Sequence, residues 1–168
     1  MKMKGEIVRD CVGVERTADA SGADAVLLGP GSADPFSPKS VRASAGSVFR
    51  IPVLRVESIV AAVFEAQSSG LVVKGTAADG DVTLFQDQQL DLASPTFWLF
   101  GNEANGLSDI AKDACDHLVS IPMFGGAESL NVGIAAAVCL VLGLALDDRL
   151  KKRVVRAAEH HDVRSEEH

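Results

Sequence analysis

The chain has 168 residues, of which 47% are hydrophobic, enough for one globular domain with a sizeable core. Its formal net charge of -7 argues against nucleic-acid binding through a broad basic surface, because phosphate neutralisation requires clustered lysine and arginine. The three cysteines, Cys11, Cys115 and Cys139, are odd in number and lack CxxC spacing, so neither a disulfide framework nor a zinc site is predicted. We therefore expect reduced, buried thiols in a cytoplasmic protein.

From the amino terminus, helix-like and strand-like segments alternate. A helix containing "ERTADAS" is expected to close at Gly22, and the apolar run "ADAVLLG" then predicts a strand. A short helix is expected from about Pro38, because proline suits a first helical turn, and the strand-like "RIPVLRV" follows it. The next helix ends at the stop signal Gly70, and its apolar residues on one face are Ile59, Val60, Val63 and Phe64.

The second half continues this alternation. The strand "LVVKGTA" precedes loops around a weak element, and "TFWLFG" predicts the next strand. A short helix opened by Ser108 and Asp109, the strand "HLVSIPM" and a long final helix complete the pattern. The apolar run of that helix, from Val132 to Leu146, is too short to cross a bilayer and indicates a helix buried on most of its faces. Such alternation predicts an α/β fold in which helices cover both faces of a parallel sheet.

Two polar, glycine-containing loops follow predicted strands. "GNEANGLS" comes after "TFWLF", and "PMFGGAESLN" comes after "HLVSI" and leads into the last helix. Ligands in open α/β sheets bind at the carboxyl ends of strands, so the two loops predict one pocket. Taken singly, each loop is about as well explained by turn glycines and by helix capping through Ser129 or Asn131.

Together, "FWLFGNEANGLS" and "HLVSIPMFGGAESLNVGIAAAV" closely resemble the last two motifs of the SpoU (TrmH-like) family of SPOUT RNA methyltransferases. Upstream, "RTADASGADAVLL" and "DPFSPKSVRASAGSVFRIPV" are similar to the region around the family's first motif. The resemblance implies a methyltransferase domain over residues 1–150 with a carboxy-terminal trefoil knot, followed by a polar tail over residues 151–168. It also implies a homodimer that binds S-adenosylmethionine and methylates a ribose 2′-hydroxyl of structured RNA, either tRNA or rRNA.

Residue by residue, the resemblance implies cofactor contacts at Gly101, Ile121 and Leu130, with Leu99 and Met123 as flanking walls. Backbone groups at strand ends can read the adenine and ribose edges, and the apolar side chains supply walls. A side chain added at Gly101 is then expected to stand where the backbone meets the cofactor. No metal ligands are predicted.

The resemblance implies a catalytic set made of polar side chains, namely Arg16, Glu103, Ser129 and Asn131. Because a guanidinium stays protonated, Arg16 is expected to position an RNA phosphate and to stabilise negative charge on the attacking oxygen. Deoxyribose lacks that oxygen, so DNA is not a methyl acceptor in this scheme, and no membrane partner is expected.

The first motif departs from the family pattern. Relatives have an N-x-G segment a few residues before the arginine, whereas this chain reads "VRDCVGVERTAD" and places Glu15 where an apolar residue is expected. The chain also starts almost at this motif, which is expected either of a minimal or truncated form or of one whose RNA-binding end is degenerate. A noncatalytic SPOUT-like dimer that binds cofactor or RNA is therefore the alternative, while a flavodoxin-like nucleotide-binding protein leaves the paired motifs unexplained.

Two further features have competing explanations. Trp98 lies within an apolar strand, so core packing is favoured over base stacking. Four cations, Lys39, Arg42, Arg50 and Arg55, are either an RNA-facing patch near the pocket or scattered solvated charges.

Overall fold

The computed structural model describes residues 5–8, 14–86, 90–92, 94–101, 105–126 and 130–146. The strands are β1 (Gly5–Val8), β2 (Ala25–Leu28), β3 (Val53–Arg55), β4 (Val72–Thr76), β5 (Val82–Thr83), β6 (Thr96–Phe100) and β7 (His117–Ser120). The α-helices are α1 (Val14–Ser21), α2 (Pro38–Ala43), α3 (Ile59–Ser68), α4 (Asp109–Asp113) and α5 (Val132–Leu146), and Ser47–Phe49 forms a 3-10 turn. The predicted tail over residues 151–168 lies outside the described residues.

All described strand pairs are parallel, and they form one sheet in the order β3-β2-β1-β6-β4-β7-β5. The parallel sheet and the alternation of its elements are thus confirmed. Strand β1 was not predicted, because only Ile7 and Val8 are adjacent apolar residues in its "GEIV" sequence. The weak element expected after "LVVKGTA" is the two-residue strand β5.

Helix boundaries follow the local capping chemistry. The hydroxyl of Ser58 accepts a hydrogen bond from the Ala61 N–H at the start of α3, and Ser108 does the same for Ala111 in α4. Gly22 and Gly70 follow α1 and α3 with positive φ values, a conformation that glycine adopts without steric cost. The predicted stops of α1 and α3 and the predicted start of α4 are therefore confirmed.

The two faces of β6 pack into two different cores. Trp98 and Phe100 belong to a cluster with Val132 and Ala136 of α5. Phe97 and Leu99 pack in a second cluster, which includes Val63 of α3 and Ala111 of α4. Because successive strand residues point to opposite faces, this division confirms helices on both sides of the sheet and the core position of Trp98.

The outward sides of two helices remain apolar. In α3, Val63 is fully buried but Phe64 is 61% exposed, so the predicted apolar face is only partly covered. In α5, Ile134 and Val141 are 54% and 56% exposed, although most described side chains of that helix are at least half-buried. Since these two residues lie seven apart, they share one side of the helix.

Lys74 is a charged residue inside the sheet. It is 1% exposed, its Nζ donates to the Asp91 carbonyl and to Thr96 Oγ1 at 3.0 Å, and it lies 5.8 Å from the centre of the Trp98 ring. These contacts join β4 to the segment that leads into β6. No helix in the described part of the chain is long and apolar enough to span a membrane.

Candidate functional site

The carboxyl ends of β6, β4 and β7 lie side by side. In the register of the sheet, Gly75 pairs with Leu99 of β6, and Thr76 pairs with Val119 of β7. Gly101 lies two residues after Leu99, and Ile121 lies two residues after Val119. The two residues therefore flank the end of β4. With strands about 4.8 Å apart, Gly101 and Ile121 are separated by roughly 10 Å. The fold therefore brings the two predicted loops to one edge, with the end of a third strand between them.

The glycine at 101 is required by the loop itself. A Cβ atom built at Gly101 would lie 2.1 Å from the carbonyl carbon of Gly106 and 2.4 Å from the Leu107 nitrogen. Gly106 has φ +63°, so the loop returns directly onto the strand end. A side chain at this position would therefore meet the Gly106 backbone at its Cβ atom, and its contact with the cofactor stays a prediction. Residues 102–104, including the predicted Glu103, lie outside the described part.

The loop after β4 is a component that the sequence interpretation missed. The Ala77 N–H donates to the Val119 carbonyl at 3.1 Å, and Thr76 Oγ1 donates to the Leu99 carbonyl at 3.4 Å. A Cβ atom at Gly80 would lie 2.7 Å from both Leu118 O and Ser120 N, so this loop packs closely on the β7 backbone. The available signal was the sequence "VVKGTAADG", a buried strand followed by a glycine-containing loop, as at the other two strand ends.

An ion pair connects the β4 loop to α4. Lys112 Nζ donates to both carboxylate oxygens of Asp79, at 3.0 Å and 3.1 Å. The hydrogen bond from Lys112 holds the pKa of Asp79 below its usual value. Since Asp79 is largely exposed, this pair contributes little to stability, although it restrains the loop beside the strand ends.

A cavity of about 190 Å³ lies at the end of β6, on the face covered by α3 and α4. Its walls come from the end of β6, the returning loop and the first turns of both helices, and include Leu99, Gly101, Ile59 and Ile110. Two of the predicted cofactor residues, Leu99 and Gly101, therefore line one cavity. Ile121 does not line it and instead packs against the cluster containing Trp98 and α5.

The other predicted cofactor residues follow β7. Met123 is 37% exposed, and Leu130 is half-buried immediately before α5. Asn131 accepts a hydrogen bond from the Gly133 N–H through its Oδ1 at 2.9 Å, which confirms the capping role considered for it. Ser129 lies outside the described residues, so the structure does not describe its contacts.

Arg16 is exposed in the first turn of α1. That helix packs on α5, with Val14 in the same buried cluster as Val132 and Ala136. In addition, Val8 at the end of the preceding strand pairs with Phe100, directly before the Gly101 loop. Arg16 thus belongs to a helix that lies against α5 and follows the strand next to β6.

Glu15 occupies an enclosed position. It is 2% exposed and lies in the first turn of α1, where a carboxylate interacts favourably with the helix dipole. Among the described residues, no group of three or more histidine, cysteine or acidic side chains is arranged to hold a metal ion.

Comparisons with known proteins agree on one family. Residues 12–141 match the family described as "SpoU rRNA Methylase family". The chain is 42% identical over 130 residues to a 23S rRNA (uridine(2479)-2′-O)-methyltransferase of Streptomyces viridochromogenes, covering 74% of this chain and 44% of that protein. It is 37% identical over 138 residues to the 23S rRNA (guanosine-2′-O-)-methyltransferase RlmB of Pseudomonas syringae pv. tomato, covering 82% of this chain and 53% of that protein.

Solved structures show the same relationship. The SpoU methyltransferase AviRb from Streptomyces viridochromogenes, in complex with the cofactor AdoMet, superimposes with a TM-score of 0.74 at 35% identity. The superposition covers 92% of this chain and 62% of that one. The chain spans about half of the length of the two curated relatives.

Proposed function

Because the chain belongs to the SpoU rRNA methylase family, we propose that it transfers a methyl group from S-adenosylmethionine to a ribose 2′-hydroxyl of structured RNA. The observation that carries this proposal is the convergence of the Gly101, β4 and Ile121 strand ends at one edge of a parallel sheet. The similar rRNA methyltransferases support rRNA as the substrate class, with tRNA as the alternative.

The cofactor site in this proposal comprises Leu99, Gly101, Ile121, Met123 and Leu130. The residues present fit an adenosine group, because neighbouring strand ends offer backbone donors and acceptors while half-buried Ile121 and Leu130 offer apolar contact. When bound, S-adenosylmethionine supplies an activated methyl group on its sulfonium sulfur. The protein must therefore mainly hold the acceptor ribose in line and assist the loss of its hydroxyl proton.

Arg16 is the proposed electrostatic contributor. Its guanidinium stays protonated, so it positions an RNA phosphate and stabilises negative charge on the 2′-oxygen, while the phosphate or a second group accepts the hydroxyl proton. Glu103, Ser129 and Asn131 shape the substrate end of the pocket in this scheme. For Asn131, the hydrogen bond that its Oδ1 accepts from the Gly133 N–H fixes the orientation of the side chain at the start of α5.

A homodimer with a trefoil knot completes the proposed active form. The exposed apolar side of α5, with Ile134 and Val141, supports the dimer, since it offers a surface for a second copy. The knot is supported by the superposition on SpoU structures. Free Cys115 and Cys139 support a cytoplasmic location.

One observation favours a noncatalytic cofactor- or RNA-binding dimer as the second candidate. The segment before Arg16 lacks the family's asparagine, and the enclosed position next to Arg16 carries the acidic Glu15. Such a protein would retain the cofactor site at the strand ends and lose only the first-motif contribution to methyl transfer.

The test is calorimetry with S-adenosylmethionine, followed by transfer of a tritiated methyl group to total rRNA and tRNA. Met123→Lys should weaken cofactor binding at least about tenfold, because it brings a cation towards the sulfonium at the pocket wall. Phe124→Lys, one residue further along and fully exposed, is the matched control and should leave affinity unchanged. Equal affinities for both variants would contradict the proposed site. Cofactor binding without any transfer would favour the noncatalytic alternative.

A further inference from the structure

Two phenylalanine rings form an exposed pair on the surface. Phe36 and Phe49 are 56% and 69% exposed, and their ring centroids lie 6.1 Å apart at an interplanar angle of 36°. Large aromatic side chains contribute most to stability when they are buried, so two neighbouring exposed rings indicate a binding surface.

Hydrogen bonds order the chain around both rings. The Phe36 N–H donates to Asp34 Oδ1 at 3.0 Å, and Ser40 Oγ donates to the Asp34 carbonyl at 2.8 Å. Phe49 ends the 3-10 turn, and Ser47 Oγ in that turn accepts from Arg50 Nη2 at 2.8 Å. A surface fixed in this way loses little conformational entropy when a ligand binds.

The chain segment that carries the pair is basic, although the Asp34 carboxylate lies beside Phe36. Residues 36–55 contain four cations and no aspartate or glutamate, although the whole chain has a net charge of -7. Arg50 forms a salt bridge with Asp19 at 2.6 Å, and Arg55 donates to the carbonyls of loop residues 32 and 33. In contrast, Lys39 and Arg42 are exposed and make no ion pair among the described residues. They lie three residues apart on α2, which places them on one side of it.

The loop that carries Phe36 begins near the proposed methyl-transfer site. The loop that carries Phe36 follows β2, so it starts at the same edge of the sheet as Gly101. Strand β1 separates β2 from β6, which corresponds to a distance of about 10 Å between the two strand ends. An RNA segment whose ribose lies at Gly101 can therefore reach the start of this loop, and nucleotides further along the segment can extend towards the ring pair.

We propose that Phe36 and Phe49 form a stacking site for an unpaired base of the RNA substrate, with Lys39 and Arg42 contacting flanking phosphates. Single-stranded RNA is bound by aromatic faces that stack bases and by cations that follow the backbone, and this surface offers both. Stacking tolerates any base, so the site contributes affinity and register rather than sequence specificity. The inference rests on RNA being the substrate, as proposed above.

The direct test is fluorescence anisotropy with a short fluorescein-labelled oligouridine. The double variant Phe36→Leu, Phe49→Leu keeps apolar side chains but removes both rings, and should bind about 5- to 50-fold more weakly. Phe64→Leu removes an equally exposed ring from α3 and is the matched control, with affinity as in the wild type. Phe49→Tyr retains an aromatic face and should also bind normally.

A second measurement uses the salt dependence of the same binding reaction. Arg42→Gln should reduce the slope of log affinity against log salt by about 0.7, the value for one phosphate contact to a single strand. Lys112→Gln removes one positive charge from α4 and should leave the slope unchanged. If the double leucine variant does not fold, this comparison of salt slopes tests the proposed RNA contact instead.

Three results would overturn the proposal. The first is that the wild-type protein does not bind the oligonucleotide. The second is that the double leucine variant binds it as tightly as the wild type does. The third is that the double leucine variant binds RNA normally but forms a weaker dimer. The last would mean that a second copy covers the rings. Oligonucleotide binding that depends on the rings, in a protein that transfers no methyl group, would contradict the proposed activity but support the stacking site.

Discussion

Replacing Lys74 with methionine should remove a pH dependence from the stability of the protein. Lys74 is 1% exposed, and its ammonium donates to the Asp91 carbonyl and to Thr96 Oγ1. Burial of the charge lowers the pKa of Lys74 from 10.5 to about 8, while the negative charge of Asp91 acts in the opposite direction. The folded protein therefore releases this proton at a lower pH than the unfolded chain does.

The sign and the size of the effect follow from that difference. Below pH 8 the charged amine is buried at a cost, and the cost is relieved as the pH rises through 8 towards 10.5. The lowered pKa corresponds to at most ~3 kcal/mol of destabilisation at neutral pH. Between pH 7 and 9.5, the wild-type protein should gain about 1–2 kcal/mol in free energy of unfolding relative to Lys74→Met.

The assay is urea unfolding at fixed protein concentration, followed by the fluorescence of Trp98, the only tryptophan. Methionine keeps an unbranched side chain in the same space, so packing is largely preserved. Lys39→Met, at an exposed position on α2, is the control for the loss of a lysine. Its free energy of unfolding should change with pH as that of the wild type does. A stability difference between wild type and Lys74→Met that stays constant across this pH range would refute the reasoning.

Three further substitutions test the site and the assembly. Arg16→Ala should lower the rate of methyl transfer by about 10²- to 10³-fold without changing S-adenosylmethionine affinity by calorimetry, and full activity would exclude the proposed role. Gly101→Ala should destabilise the fold by about 1–3 kcal/mol in urea unfolding, because its Cβ would lie 2.1 Å from Gly106. The control Gly125→Ala has no atom within 4 Å of its Cβ and should be nearly neutral. Ile134→Asp should shift the protein towards monomer in analytical ultracentrifugation. The control Ile110→Asp, on α4, should not. Equal behaviour of the two variants would argue against α5 as the dimer interface.

Local patterns were sufficient for most of the secondary structure. Cap residues such as Ser108 and stop glycines such as Gly70 act within a few residues, so their effects can be read directly from the sequence. Strand β1 was not predicted because a four-residue segment with only two adjacent apolar residues gives little periodic signal. Pairing with β2 on one side and β6 on the other, rather than its own pattern, explains why this segment forms a strand.

The parts that could not be predicted depend on contacts between distant segments. The position of β4 between β6 and β7 brings Thr76 and Gly80 to the site. The order of strands in a sheet cannot be predicted from the sequence of any single segment. The burial of Lys74 likewise depends on Asp91 and Thr96, which lie 17 and 22 residues away. At Gly101, the family resemblance identified the residue, whereas its close contact with Gly106 emerged only from the folded loop.

The most direct test of the central claim is the chemical position of the transferred methyl group. The protein would be incubated with tritiated S-adenosylmethionine and rRNA, and the RNA would then be hydrolysed with alkali. A 2′-O-methyl group blocks cleavage of the adjacent phosphodiester, because the free 2′-oxygen is the nucleophile in that reaction. We predict that the label appears in alkali-resistant dinucleotides, and that Arg16→Ala strongly reduces it. Label in mononucleotides would indicate base methylation and would contradict the account, as would cofactor binding without any labelled RNA.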